Sequence, residues 1–222
     1  MTILVSLYRE LKSMNRSTIV VMVVVCAVML VALLISKGRS VEVVYVLAEM
    51  VVPMLAMIIP GGIVSRDIDA GTLELLLVRP IPASRLYARR YVLALVVSFL
   101  IGVVFLLSLW FSYGEFQLYE VFLSLFTSLI FLSSIVLLVS ILFGDVTVGL
   151  IFAGAIWLIE QPMLLGRFMQ EGIMNHLYLF NHVYGAPQDI FVSSKLTIIA
   201  VSALISLLAL MLLNRNERLI RG

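Results

Sequence analysis

Six stretches of this chain are long, continuous and nearly free of charge, and that pattern decides its solvent before any motif is read. They run near Thr18–Ser36, Val43–Val64, Ala88–Phe111, Leu118–Phe143, Thr147–Leu165 and Leu196–Leu213. A helix needs about 20 mostly apolar residues to cross a bilayer. Lipid offers nothing to backbone N–H and C=O groups, so a crossing segment must be helical or belong to a closed barrel. The apolar residues here run on without alternation, which excludes a barrel. Composition agrees: 63% of the residues are hydrophobic and 13% charged, far from the roughly half-apolar, quarter-charged make-up of soluble domains. The expectation is an all-α, polytopic membrane protein with six transmembrane helices in a single transmembrane domain over residues 1–222. The first stretch is long, lacks a small-residue cleavage site and is followed by further spans, so it reads as a retained span rather than a signal peptide.

The basic residues are informative by position. Arg9, Lys12 and Arg16 precede the first span, Arg66, Arg79, Arg85, Arg89 and Arg90 lie between the second and third, and Arg215, Arg218 and Arg221 follow the last. In a six-span topology all three groups fall on one side. The other side holds Lys37, Arg39, Arg167 and Lys195, with the acids Glu115 and Glu120 in its short third-to-fourth loop. Eleven basic residues against four place both termini in the cytoplasm by the positive-inside rule, in a multi-pass protein of the cell membrane. The net charge of +2 gives no argument for nucleic acid. Cys26, the only cysteine, excludes an intrachain disulfide and a cysteine-based metal cluster.

Residues 1–17 carry Ile3, Leu4, Leu7, Tyr8, Leu11 and Met14 at helical spacing among Arg9, Glu10, Lys12 and Arg16. This predicts an N-terminal amphipathic interfacial helix leading into the first span. Pro53, Pro60, Gly61 and Gly62 mark the second span as bent or broken, which membranes tolerate where neighbours satisfy the freed backbone. Glu49 in that span would cost roughly 2.5 to 3.5 kcal/mol at the bilayer centre. It is either part of a transport pathway or a headgroup-level residue near the outer edge. Glu160 reads as isolated. The outer-face segment 161–195 is too apolar for free solvation and too polar for a span, so it predicts short re-entrant or amphipathic helices. His176 and His182 in it have no third ligand at a recognisable metal spacing.

The 65–87 region between the second and third spans has the chemistry of a short cytoplasmic helix. Gly71 supplies a turn, Thr72 an N-cap and Glu74 a carboxylate in the first turn. Leu73, Leu75, Leu76, Leu77 and Val78 form an apolar body, and Pro80 and Pro82 end it. Exposed leucines between acids and arginines suit a groove on a partner; they equally suit an anchor in the headgroup layer.

Asp67-x-Asp69-x-Gly71-Thr72, then Leu-Glu-Leu-Leu, Pro80, Ser84-Arg85 and Arg89-Arg90 together resemble the signature of ATP-binding-cassette (ABC) exporter permeases of the type-2 class. The acidic pair there is usually glutamate, and a lysine commonly stands where Arg89 or Arg90 does; the aspartates here keep the charge with a shorter reach. The motif occupies about 25 residues, while the six-span layout, the amphipathic helix and the apolar segment before the last span extend the likeness along nearly the whole chain. The resemblance implies a permease subunit that dimerises, with itself or a similar permease, and is driven by cytoplasmic ATPase subunits. It also implies that Asp67, Asp69, Gly71, Thr72, Leu73 and Glu74 belong to a coupling helix seated in an ATPase cleft. The turn at Gly144-Asp145-Val146 is a candidate for a second, smaller contact. The chain carries no Gly-x-x-x-x-Gly-Lys-Ser/Thr phosphate loop, so ATP and Mg are expected on partner subunits and not on this one.

Two other classes compete with this one. An intramembrane enzyme needs converging nucleophile, base or paired carboxylates within the spans, and the sequence shows no base matched to the span serines. A membrane scaffold or remodelling subunit that moves no solute would need the same coupling helix and stays open as the alternative. The apolar spans suit a lipid, hydrophobic peptide or lipophilic drug, and equally suit plain packing against lipid.

Overall fold

An apolar run that cannot be solvated has to close its own backbone hydrogen bonds, and the described segments do so as helix. The computed structural model describes Pro53, Met57, Ile58, residues 83–113, residues 117–160, Leu179 and residues 188–221. Among these, four helices follow one another: α1 (Ala83–Tyr113), α2 (Leu118–Phe143), α3 (Val146–Ile159) and α4 (Gln188–Arg221). Three contain stretches long and apolar enough to cross a membrane, Tyr87–Phe111, Leu118–Phe143 and Ile190–Asn214. At 1.5 Å per residue they reach about 37–39 Å, more than the ~30 Å hydrocarbon core.

The expected third span lies inside α1 and the expected fourth coincides with α2. Two elements differ from expectation. The last apolar stretch starts at Ile190, not Leu196, which brings Lys195 inside the helix and shortens the expected outer segment. The expected fifth span, Thr147–Leu165, is occupied by α3, which ends at Ile159 with Glu160 as C-cap. Pro162 stands two residues further on and disfavours helical backbone at the residue before it. The spans expected at Thr18–Ser36 and Val43–Val64, the amphipathic helix at 1–17 and the 65–82 part of the coupling region lie outside the described residues, apart from Pro53, Met57 and Ile58. So does the 161–187 segment, apart from Leu179.

The chain reverses between α2 and α3 in two residues. Gly144 adopts a left-handed conformation (φ 66°) that closes α2, the position where a glycine is favoured. Asp145 is extended and its carboxylate accepts the Thr147 N–H at 2.7 Å, capping α3.

Among the described helices α2 is the central one. It packs on α1, α3 and α4, and 67% of its apolar window is buried, against 28% for α1 and 22% for α4. Its sequence explains this. Ser124, Thr127, Ser128, Ser133, Ser134 and Ser140 are all buried; in lipid, small and hydroxylated residues are drawn to helix contacts while leucines are left outside. Thr127 donates to Leu123 O at 2.9 Å and Ser134 to Phe131 O at 2.7 Å, within their own helix. The converse holds on α1, where Val92, Val96, Leu100, Val104 and Phe111 form an exposed apolar stripe.

Each contact has its own device. Phe99 of α1 meets Phe122 and Phe126 of α2 edge-on, at 5.4 and 5.3 Å between centroids. Gly149 and Ala153, four apart on α3, are buried, and a Cβ built on Gly149 would stand 2.8 Å from the carbonyl oxygen of Val136 and collide with the Ser140 hydroxyl. Only glycine lets α3 approach α2 this closely. One core cluster joins Leu132, Ile135 and Val136 to Ala153, Ile198, Leu179 and Met57. A second joins Tyr87, Tyr91, Leu137, Val146, Ala209 and Leu213. The second cluster brings together the start of α1, the end of α2, the start of α3 and the last apolar turns of α4. The opposite end of the bundle holds the C-terminus of α3 and the first turns of α4.

Candidate functional site: two buried charges at the α3–α4 end

Lysine in an apolar run is either drawn to the membrane surface or given partners inside, and Lys195 takes the second course. It is wholly buried. Its Nζ donates to Ser124 Oγ of α2 at 2.9 Å and to the carbonyl oxygen of Leu179. The ring of Phe191, one turn earlier on α4, lies 5.2 Å from the ammonium, within reach of a cation–π attraction.

Glu160 is the second charge. It caps α3, donating its own N–H to Ile156 O at 3.0 Å, and only 7% of it is exposed. Its Oε2 accepts the N–H of Leu179 at 2.9 Å. One residue therefore serves both side chains, offering its N–H to the Glu160 carboxyl and its C=O to the Lys195 amino group. Hydrogen bonds to an ionised group are among the strong ones. A buried charge deprived of its partners costs several kcal/mol, so the arrangement fixes residue 179 firmly. Polar groups in membrane-spanning segments are otherwise rare and mark functional positions.

No family model, curated protein or solved structure matches this chain. The site therefore rests on its geometry alone.

That geometry corrects two readings of the sequence. Glu160 is not isolated, and Lys195 is not a loop cation. The missed signal was local: Lys195 has Ile190–Val192 before it and Leu196–Val201 after it, apolar on both sides, so a surface position would have required breaking a helix. That Glu160 and Lys195, 35 positions apart, meet at Leu179 leaves no periodic trace.

The premise that no base lies near a span serine also needs correction, because Ser124 and Lys195 are in contact. Both are wholly buried, and Lys195 Nζ is shared between Ser124 Oγ and the carbonyl oxygen of Leu179.

The residues singled out for coupling, Asp67, Asp69, Gly71, Thr72, Leu73 and Glu74, and the pathway candidate Glu49 lie outside the described residues. The C-terminal part of that motif opens α1. Arg85 and Arg89 are exposed and Arg90 half-buried in its first turns, so three cations stand at the helix N-terminus, where the dipole disfavours them. Anionic headgroups would offset that cost, since arginine can lay its stem along apolar surface with its head in the interface.

Proposed function

We propose that this chain is the membrane-spanning permease subunit of an ABC exporter, driven by separate ATPase subunits that carry ATP and Mg. The observation that carries the proposal is the Asp67-to-Arg90 motif, with its acidic pair, Gly-Thr turn, leucine body, prolines and following arginines. Three features support it. α1 begins at Ala83, directly after the prolines that end the motif's leucine body. Three helices have the length and apolar character to cross a bilayer. The start of α1 and the tight α2–α3 turn lie at the same end of the bundle, so a coupling segment before α1 and a smaller contact at Gly144-Asp145 could meet one cytoplasmic partner. A half of this size encloses a pathway only with a second permease, identical or similar. With Lys195 inside α4, the bias in loop and terminal basic residues is eleven to three, and it orients the protein in the cell membrane with both termini cytoplasmic.

In this reading Leu73 inserts into the ATPase cleft, and closure of the nucleotide sandwich moves the spans as rigid bodies. The test is to co-express the tagged chain with the ATPase subunits encoded beside it and to assay ATP hydrolysis in lipid. A stable complex is expected, and Leu73→Asp should lower its ATPase activity at least about tenfold, because a charge is buried in an apolar cleft, while membrane insertion stays intact. Wild-type activity in Leu73→Asp would remove this residue from the coupling contact. Failure to recruit any ATPase would remove the permease assignment itself, and recruitment without solute movement would favour a scaffold or remodelling subunit.

A further inference from the structure

Arg85 and Arg89 are exposed near the start of α1, and the exposed positions that follow them are Val92, Val96 and Leu100. Successive steps of four, three, four and four residues keep all five on one face of the helix. Tyr87, Tyr91, Ala94 and Ser98 are buried and turn the other way. The outward face is thus a pair of cations followed by an unbroken apolar track, and α1 itself contributes no acidic residue anywhere along its length.

Depth follows from the two ends of the span. Trp110 is exposed near the end of the apolar run, and tryptophan settles at a membrane–water interface. Arg89 precedes it by 21 residues, about 32 Å at 1.5 Å per residue, which matches a hydrocarbon core ~30 Å thick. With Trp110 at one surface, Arg89 stands at headgroup level on the other and Arg85 one turn further out. Leu100 lies about 17 Å from Arg89 along the helix axis, close to the ~15 Å depth of one leaflet.

We propose that this face of α1 is a binding site for one anionic phospholipid, its negatively charged headgroup against Arg85 and Arg89 and an acyl chain along Val92, Val96 and Leu100. Charge complementarity and length together select this occupant. Guanidinium groups match phosphate oxygens with paired N–H donors. A zwitterionic lipid fills the same track but carries an ammonium toward the arginines, and an acidic protein surface would meet the cations without using the track. The site does not depend on whether the chain works with an ATPase.

The test places a fluorescent reporter in the track. The full chain carrying Trp110→Phe, Trp157→Phe and Val96→Trp is reconstituted in mixtures of phosphatidylglycerol and phosphatidylcholine, with one lipid or the other brominated in its acyl chains so that contact quenches the fluorescence. Phosphatidylglycerol should bind at position 96 at least about fivefold more tightly than phosphatidylcholine, the effect of one basic side chain at an anionic surface. Arg85→Gln with Arg89→Gln should remove the preference, and Arg85→Lys with Arg89→Lys should keep most of it, because the charge remains. A reporter at Ile151, which is 64% exposed on the uncharged α3, should show no preference between the lipids. Its unchanged quenching in the glutamine and lysine variants shows that they remain folded in the bilayer. Equal quenching by the two lipids at position 96 would overturn the proposal. So would a preference that survives the glutamine pair or is as strong at position 151, since lipid would then be answering the charge of the whole protein and not this face.

Discussion

Asp145 shows how much a single side chain fixes here. Its carboxylate accepts the Thr147 N–H and so starts α3 one residue after the left-handed Gly144 has ended α2. Asp145→Ala should destabilise the protein by about 1 kcal/mol, read as a lower unfolding temperature in detergent. Asp145→Asn keeps the acceptor and should lose little; if it falls as far as alanine, the carboxylate acts through its charge on the helix dipole and not through the cap. The Gly-Asp pair was legible as a short connection, because both residues advertise a turn. Lys195 was not legible, because a lysine in sequence looks like the edge of a span, and its partners come from Ser124, Leu179 and Phe191, which no local pattern links.

At the scale of the helices, α2 was readable to the residue, and the reason is its flanks. Gln117 and the Gly144-Asp145 turn interrupt the apolar run sharply on both sides. α3 was overestimated because Met163, Leu164 and Leu165 continue the apolar pattern past Glu160, and periodicity carries no information about the Pro162 that follows the helix end. The α2–α3 crossing gives the sharpest test of packing. Gly149→Leu places a side chain against the backbone carbonyl of Val136, which cannot step aside without moving the helix, so a loss of about 2–3 kcal/mol is expected. Gly154 has open space where its Cβ would be, and Gly154→Leu should stay within about 0.5 kcal/mol. Denaturation of both variants in the same detergent checks the contrast. Equal losses would mean that helix approach at Gly149 is not what stabilises this pair.

At the scale of the molecule, three of the long apolar stretches read from the sequence fall on helices long and apolar enough to cross a membrane, but the sequence did not convey which of the described helices packs most deeply. In water the most apolar helix would be buried; among the described helices it is the one richest in buried hydroxyls, α2. Length has a further consequence. The 14 residues of α3 extend about 21 Å, about 9 Å less than a ~30 Å hydrocarbon core. Lipid that meets α3 directly would have to thin to match it, and hydrophobic mismatch of that kind is a strain on the leaflet. Thin bilayers relieve that strain. The protein should therefore unfold at a higher temperature in vesicles of short-chain phosphatidylcholine than in long-chain ones; an unfolding temperature indifferent to chain length would mean that α3 does not face lipid at this depth. A helix that stops short thus makes acyl-chain length a variable to which the Glu160 end of the bundle responds.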